Sequence, residues 1–273
     1  MSPSAAVLLA ASALALAACG EESPPAKAPA PTPDAPARPP APAPANPAPG
    51  TRTRFDPASA TATLVVRARA KGTLPRMRPV KFDADPKCGE INRQEVLEET
   101  VVARDGLLSN VIAYAKSGPE RWTYPAAVGE VVLDQQGCRY LPHVFTIRTA
   151  QALVIRNSDP LSHNTHAVPA ANLEFNRTQL KGAKDITEKF AREEVGIRVK
   201  CDVHGWMGAW AGVFAHPFHG VTGADGTVTL RLPPGTWEFA AWHEYGKFTQ
   251  PVPVSVVLAA GETKEIEFVF EAK

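Results

Sequence analysis

The run Cys201-Asp202-Val203-His204-Gly205-Trp206-Met207 sets a thiol, an imidazole and a thioether at steps of three residues. A second imidazole, His163, lies upstream in Ser162-His163-Asn164-Thr165-His166, just behind the strand-like run Leu153-Val154-Ile155-Arg156-Asn157. Cys, His and Met form a soft donor set, suited to copper rather than to magnesium or calcium, and two His, one Cys and a weak axial Met make up a type 1, or blue, copper site. On this reading Cys201, His163 and His204 supply the trigonal plane and Met207 the long axial ligand. A buried Cys taken alone is usually an inert small hydrophobe and a Met a gap filler. The joint spacing, with a His-Asn pair behind a strand, favours the ligand reading.

Such ligands need a rigid frame, and the sequence predicts one made of strands. Thr61 to Ala70 alternates and is rich in Val and Thr; short apolar runs follow at Val101-Val102, Val111 to Tyr114 and Val131 to Leu133, separated by Gly, Pro and Asp. Regular short strands with turn signals between them predict a β-sandwich architecture. The best candidate for a short helical turn is Arg93 to Glu99. His163 would lie on the loop after one strand, and Cys201, His204 and Met207 on the loop joining Ile197–Lys200 to Ala209–Phe214. Ligands fixed in this way change little between Cu(I) and Cu(II).

Residues 140–216 resemble a cupredoxin, most closely the amicyanins. Tyr140-Leu141-Pro142 with Phe145-Thr146-Ile147 is similar to the opening strand of that barrel; Val154 to Asn157 with His163-Asn164-Thr165-His166 is similar to its first ligand loop, and Cys201 to Met207 has its short ligand-loop spacing. Ser162 and Gly205 stand where the family usually has Pro. The resemblance implies that Asn164 ties the two ligand loops together near the Cys sulfur, and that His166 stands on the surface; from the residues alone, His166 could also replace His163 or form an alternative site. Trp206 and Trp210 would exclude water, supply an apolar docking face near an exposed edge of His204, or simply pack the core. His143, His216, His219 and His243 have no spacing that demands a metal. His216 and His219 could form a weak surface metal site, but their default reading is solvated loop residues, and that of His243 is structural.

Residues 217–273 carry a second pattern: Val221 to Gly226, then Thr227-Val228-Thr229-Leu230, Leu232-Pro233-Pro234-Gly235 and the alternating Glu265 to Phe270. Gly-rich and Pro-Pro-Gly turns between alternating strands predict antiparallel hairpins. The pattern resembles the carboxypeptidase-regulatory-like, or transthyretin-like, β-sandwich, which implies fold and not peptidase activity.

The chain has 273 residues, a net charge of +1 and four cysteines. Near-neutral charge offers no electrostatic footprint for nucleic acid. The apolar run from Ala5 ends in Leu16-Ala17-Ala18-Cys19, which is similar to a bacterial lipobox, although the leader Met1 to Ser4 lacks the usual positive charge. The run is too short for a permanent span and reads as an export signal. Cys19 would then be the lipid anchor; an ordinary secretory peptide is the alternative. Export makes Cys88 and Cys138 disulfide candidates, the alternative being a second metal site near His143. Glu21 to Gly50 is almost entirely Ala and Pro, a composition that forms an extended, semi-rigid spacer.

The expected organisation is a signal peptide and lipobox at 1–19, a disordered Ala/Pro-rich tether at 20–54, a β-rich region at 55–137, a cupredoxin domain at 138–216 and the regulatory-like sandwich at 217–273. The expected fold class is all-β. The expected function is a lipid-anchored, one-copper electron carrier of the periplasm or cell surface, placed at the outer rather than the inner membrane. Its partners would be exported redox proteins, with membrane contact through the anchor alone. It would not be an enzyme, since no His-rich set exists for further copper centres. Copper delivery and a metal-free structural sandwich are the alternatives. Only three Met in the chain and an intact ligand quartet weigh against them.

Overall fold

The computed structural model describes residues 52–273; Cys19, the expected signal peptide and nearly all of the expected tether lie outside the described residues. The described chain is all-β and builds two β-sandwiches, with a single short α-helix, Pro86–Ile91, among the described residues. That helix falls just upstream of the expected turn at 93–99. Its signal is Asp85-Pro86: the Asp85 side chain accepts from the Lys87 N–H at 3.0 Å, and proline occupies the first helical turn, where its missing N–H costs nothing.

The first sandwich faces a four-stranded sheet against a five-stranded one. In spatial order the smaller sheet is Ile186–Glu188, Ala152–Asn157, Glu130–Gln135 and Tyr140–Leu141; the larger is Phe175–Gln179, His163–Val168, Glu194–Lys200, Gly208–Phe214 and Val144–Arg148. Ala152–Asn157 runs parallel to Glu130–Gln135, and Gly208–Phe214 parallel to Val144–Arg148, while the remaining pairs are antiparallel. Alternation places Ile197 and Val199 inward with Arg198 outward, and these pack with Leu133, Ile147, Leu153, Ile155 and Phe190 in one buried core.

The second sandwich is assembled from both ends of the described chain. Ala62–Lys71 alternates strictly, burying Ala62, Leu64, Val66, Ala68 and Ala70. It pairs in parallel with Thr263–Ala272 and antiparallel with Thr227–Leu232. The facing sheet orders His219–Val221, Ile112–Ser117, Gly235–Trp242 and Val254–Leu258. Gly118 (φ +113°) lies under the Trp237 ring, where an added Cβ would meet Cε3 at 2.6 Å, so glycine is required there.

Residues 55–137 therefore do not stand apart as a region of their own. Ala62–Lys71 and Ile112–Ser117 complete the C-terminal sandwich, whereas Glu130–Gln135 enters the first. The physical reason is edge satisfaction: each partial sheet leaves unpaired backbone groups that only the distant strands fill. The first sandwich is in effect inserted within the second. They meet at a small apolar seam of Ile112, Val144 and Phe214, flanked by Trp210 and Trp242.

Candidate metal centre

His163 opens the strand His163–Val168, and Cys201 directly follows Glu194–Lys200. Pairing of Lys200 with Gly208 fixes the two ends of the 201–207 loop. Within it, Met207 N–H donates to the His204 carbonyl at 2.9 Å and Cys201 N–H to the Met207 carbonyl at 3.2 Å. The loop is thus a tight, internally bonded clasp between two central strands. It buries Cys201, His204 and Met207 at 3%, 1% and 2% exposure, with His163 at 0% beside them.

The structure brings His163, Cys201 and His204 together: their donor atoms lie within 4.8 Å of one another. The two Nδ1 atoms are 2.9 Å apart, and His204 Nδ1 is 3.9 Å from Cys201 Sγ. Met207 is buried in the same core cluster as Cys201. Each imidazole turns its far nitrogen to a carboxylate: His163 Nε2 to Asp159 at 2.8 Å and His204 Nε2 to Asp85 at 3.3 Å. A carboxylate on Nε2 holds the proton there and leaves the Nδ1 lone pair facing inward, as a metal-ligating imidazole requires. The donor set, its burial and its outer partners fit a soft transition metal.

Asn164 holds the two ligand loops together. Its Oδ1 accepts the Asp202 N–H at 2.8 Å and lies 3.2 Å from Cys201 Sγ, while its Nδ2 donates to Asn176 at 2.7 Å. Its carbonyl accepts the Tyr140 hydroxyl.

The charges agree with this geometry. Burial pushes the Cys201 thiol up, but hydrogen bonding from His163 and from the backbone N–H groups of Asn164, His204 and Val203 outweighs it, and the net shift is down. Burial likewise opposes charge on His163, yet its bonds to Asp159 and Cys201 raise it to about 9. His163 therefore holds its proton at neutral pH, and a metal ion binding at Nδ1 would displace it. Asp159 is held low against burial by His163 and by the N–H groups of Cys138 and Gly137, both at 2.7 Å.

The remaining predicted residues are placed as follows. Cys88 and Cys138 form a disulfide, and Cys201 is the free cysteine among the described residues. His166 points away from the cluster, between Asp202 at 2.9 Å and Glu174 at 2.6 Å. The expectation of solvated His216 and His219 does not hold: His216 is 6% exposed, and both ring nitrogens of His219 are buried without partners, because the seam folds Phe214 and Phe218 over them. No exposed His204 edge exists for Trp206 to border. Trp206 instead donates to the Cys138 carbonyl at 3.1 Å and meets Phe82 edge-on at 5.4 Å.

Sequence reasoning missed Asp159 and Asp85. Asp159 was within reach, since it stands four residues before His163. Asp85 was not, because 119 residues separate it from His204.

No protein-family description matches the chain, and no curated protein matches it. Solved structures do show a likeness. A copper-containing nitrite reductase (NirK) from Thermus scotoductus is 18% identical over 34% of this chain, at a TM-score of 0.30; the match spans only 26% of that enzyme. Amicyanin from Paracoccus versutus is 16% identical over 37% of this chain and 96% of its own, at a TM-score of 0.28. A purple cupredoxin from Nitrosopumilus maritimus is 18% identical over 31% of this chain and 98% of its own, at a TM-score of 0.27. At these identities and scores the reading of the site rests on the residues described above. Those residues stand at one end of the first sandwich of an all-β chain.

Proposed function

We propose that this chain is an exported type 1 copper protein that carries single electrons, holding one copper through His163, Cys201, His204 and Met207. One observation carries the reading: two buried imidazoles face a lowered thiol with their Nδ1 atoms, and each has its Nε2 on a carboxylate. Copper would supply a one-electron Cu(I)/Cu(II) couple there. The chain's own contribution is rigidity and dryness. Paired strands fix Cys201 and His163, the self-bonded loop fixes His204 and Met207, and burial of all four keeps water from adding as a ligand. A frame that resists rearrangement favours electron transfer over metal release, and the enclosed site weighs against copper delivery.

In this proposal Cys19 anchors the chain at the periplasmic or cell-surface side, at the outer rather than the inner membrane, and exported redox proteins are its partners. The second sandwich is a carboxypeptidase-regulatory-like module with a bracing role, and the chain itself is not an enzyme.

The test is direct. Cu(II) is added to the full chain, and visible absorption and EPR spectra are recorded. An intense thiolate-to-copper band with narrow hyperfine splitting, abolished by Cys201→Ser, is expected. A colourless protein, or a spectrum indifferent to Cys201→Ser, would sink the assignment.

A further inference from the structure

The outer edge of His204 is closed by a segment from far upstream. The backbone joins Val80 to Val96 at 2.8 Å and bridges Pro79 to Leu97, which loops residues 79–97 back on themselves. Phe82 from this loop stands edge-on to Trp206, and Asp85 faces His204. The two oxygens of Asp85 have separate roles: Oδ1 accepts the Lys87 N–H at 3.0 Å and caps the helix, leaving Oδ2 aimed at His204 Nε2 at 3.3 Å. The carboxylate is thus oriented before any metal is bound.

The same segment is fastened covalently to the residue beside the other imidazole's carboxylate partner. Cys88, three residues after Asp85, is joined to Cys138. The Cys138 N–H donates to Asp159, which accepts from His163. Asn92 adds a bond to the Gly137 carbonyl at 3.0 Å. Running outward from one imidazole, the chain of contacts is His204, Asp85, Cys88, Cys138, Asp159 and back to His163. One disulfide therefore ties together the outer partners of both imidazoles.

Resting on the copper reading above, we propose that Asp85 is a positioning residue for the metal, acting through His204, and that the disulfide-fastened segment 79–92 is the cover that takes this imidazole out of solvent. A carboxylate accepting the Nε2 proton makes Nδ1 a stronger donor, which favours the more highly charged metal state. Asp85 thus lowers the reduction potential, and the cover slows loss of metal. Electrons reaching the site must cross this cover or enter elsewhere, not through a bare imidazole edge.

The two roles of Asp85 are separable. Asn caps a helix about as well as Asp, so Asp85→Asn keeps the cap but removes the charge, whereas Asp85→Ala removes both. Two readouts on the full chain are used. In the metal-free protein, nitrogen NMR should find His204 as the Nε2–H tautomer with slow solvent exchange in the wild type, and with faster exchange in Asp85→Asn. In the copper-loaded protein, Asp85→Asn should keep the blue band, raise the potential and lower copper affinity about 10–100-fold, with partial recovery in Asp85→Glu. If Asp85→Asn matches the wild type in tautomer, exchange, potential and affinity while Asp85→Ala only loses stability, Asp85 is a helix cap and the proposal fails. The metal-free readout stands even if Cys201→Ser refutes the copper centre, so the two failures are distinguishable.

Discussion

The two sandwiches use histidine in opposite ways. In the first, burial disfavours charge on His163 and His143, yet both are raised by the Cys201 and carboxylate partners that face them, His163 to about 9. In the second and at its seam, no carboxylate faces them and burial prevails: His216 falls to about 3, and His219 and His243 to about 4. The surrounding cores differ to match. One end of the first sandwich buries a polar set of Gln135, Asn157, Asp159, Asn164 and Gln179 that is bonded within itself and to the ligand loops. The second is filled by Phe55, Trp237, Phe239, Phe268 and Phe270. Buried polar groups are costly unless bonded, and a bonded network favours one arrangement; in this set Gln135 Oε1 is left without a partner. The first sandwich spends apolar core to fix a site, while the second supplies packing.

The most severe test of that contrast is Trp237→Ala. Trp237 is 1% exposed, stacks on Trp122 at 5.7 Å and donates to the Pro233 carbonyl at 3.0 Å. Loss of such a side chain costs about 3–5 kcal/mol. Urea unfolding should show that loss, while the copper spectrum below the transition stays unchanged. A spectrum altered along with stability would mean that the two cores are not divided in this way.

The alternation of Ala62–Lys71 and the ligand spacing at 201–207 were legible because each is a local pattern that one physical constraint imposes. The partner of Ala62–Lys71 was not: its parallel neighbour Thr263–Ala272 lies at the opposite end of the chain, and strand pairing leaves no mark in either strand alone. Whether residues 55–137 stand alone or add strands to the next sheets was unreadable for the same reason: Glu130–Gln135 pairs with both Ala152–Asn157 and Tyr140–Leu141. The sequence spacing picked out His163, Cys201 and His204, which the fold does bring together, and the Cys88–Cys138 pairing is present. The outer carboxylates were not legible, because an Asp that caps a helix and an Asp that orients a ligand look alike until the fold puts one beside an imidazole.

The pH dependence of stability should separate the sandwiches next. His216, His219 and His243 have folded values below the ordinary 6.5. Below pH 6.5 the unfolded chain therefore binds more protons than the folded one, and their contribution is lost as pH falls from 6.5 towards about 4, and for His216 towards about 3. His163 has the reverse sign in the metal-free protein. Its contribution is complete below 6.5 and is lost as pH rises through about 9. Thermal melts of the metal-free chain from pH 4 to pH 10 should thus be depressed at both ends. His216→Phe should blunt the acid limb alone, and an unchanged acid limb in that variant would count against the seam histidines as its source.

The smallest expected effect probes where the two regions touch. Glu244, from the second sandwich, bonds His143 through one oxygen and accepts the Trp210 N–H at 2.6 Å through the other. His143 in turn donates from Nδ1 to the Gly208 carbonyl at 3.1 Å, directly after Met207, the proposed axial ligand. The second sandwich thereby reaches the end of the ligand loop through one carboxylate. Glu244→Gln keeps a similar shape but removes the charge that raises His143. The expected loss is about 1.5 kcal/mol, the low end for a hydrogen bond to a charged group. That loss should be largest below pH 6.5, where the wild-type His143 contribution is complete, and should shrink as pH rises through its raised value. If bracing through Gly208 matters to the centre, the EPR hyperfine splitting of the copper-loaded variant should shift together with that loss. A stability loss with an unmoved spectrum would confine Glu244 to the seam and leave the first sandwich to fix its ligands unaided.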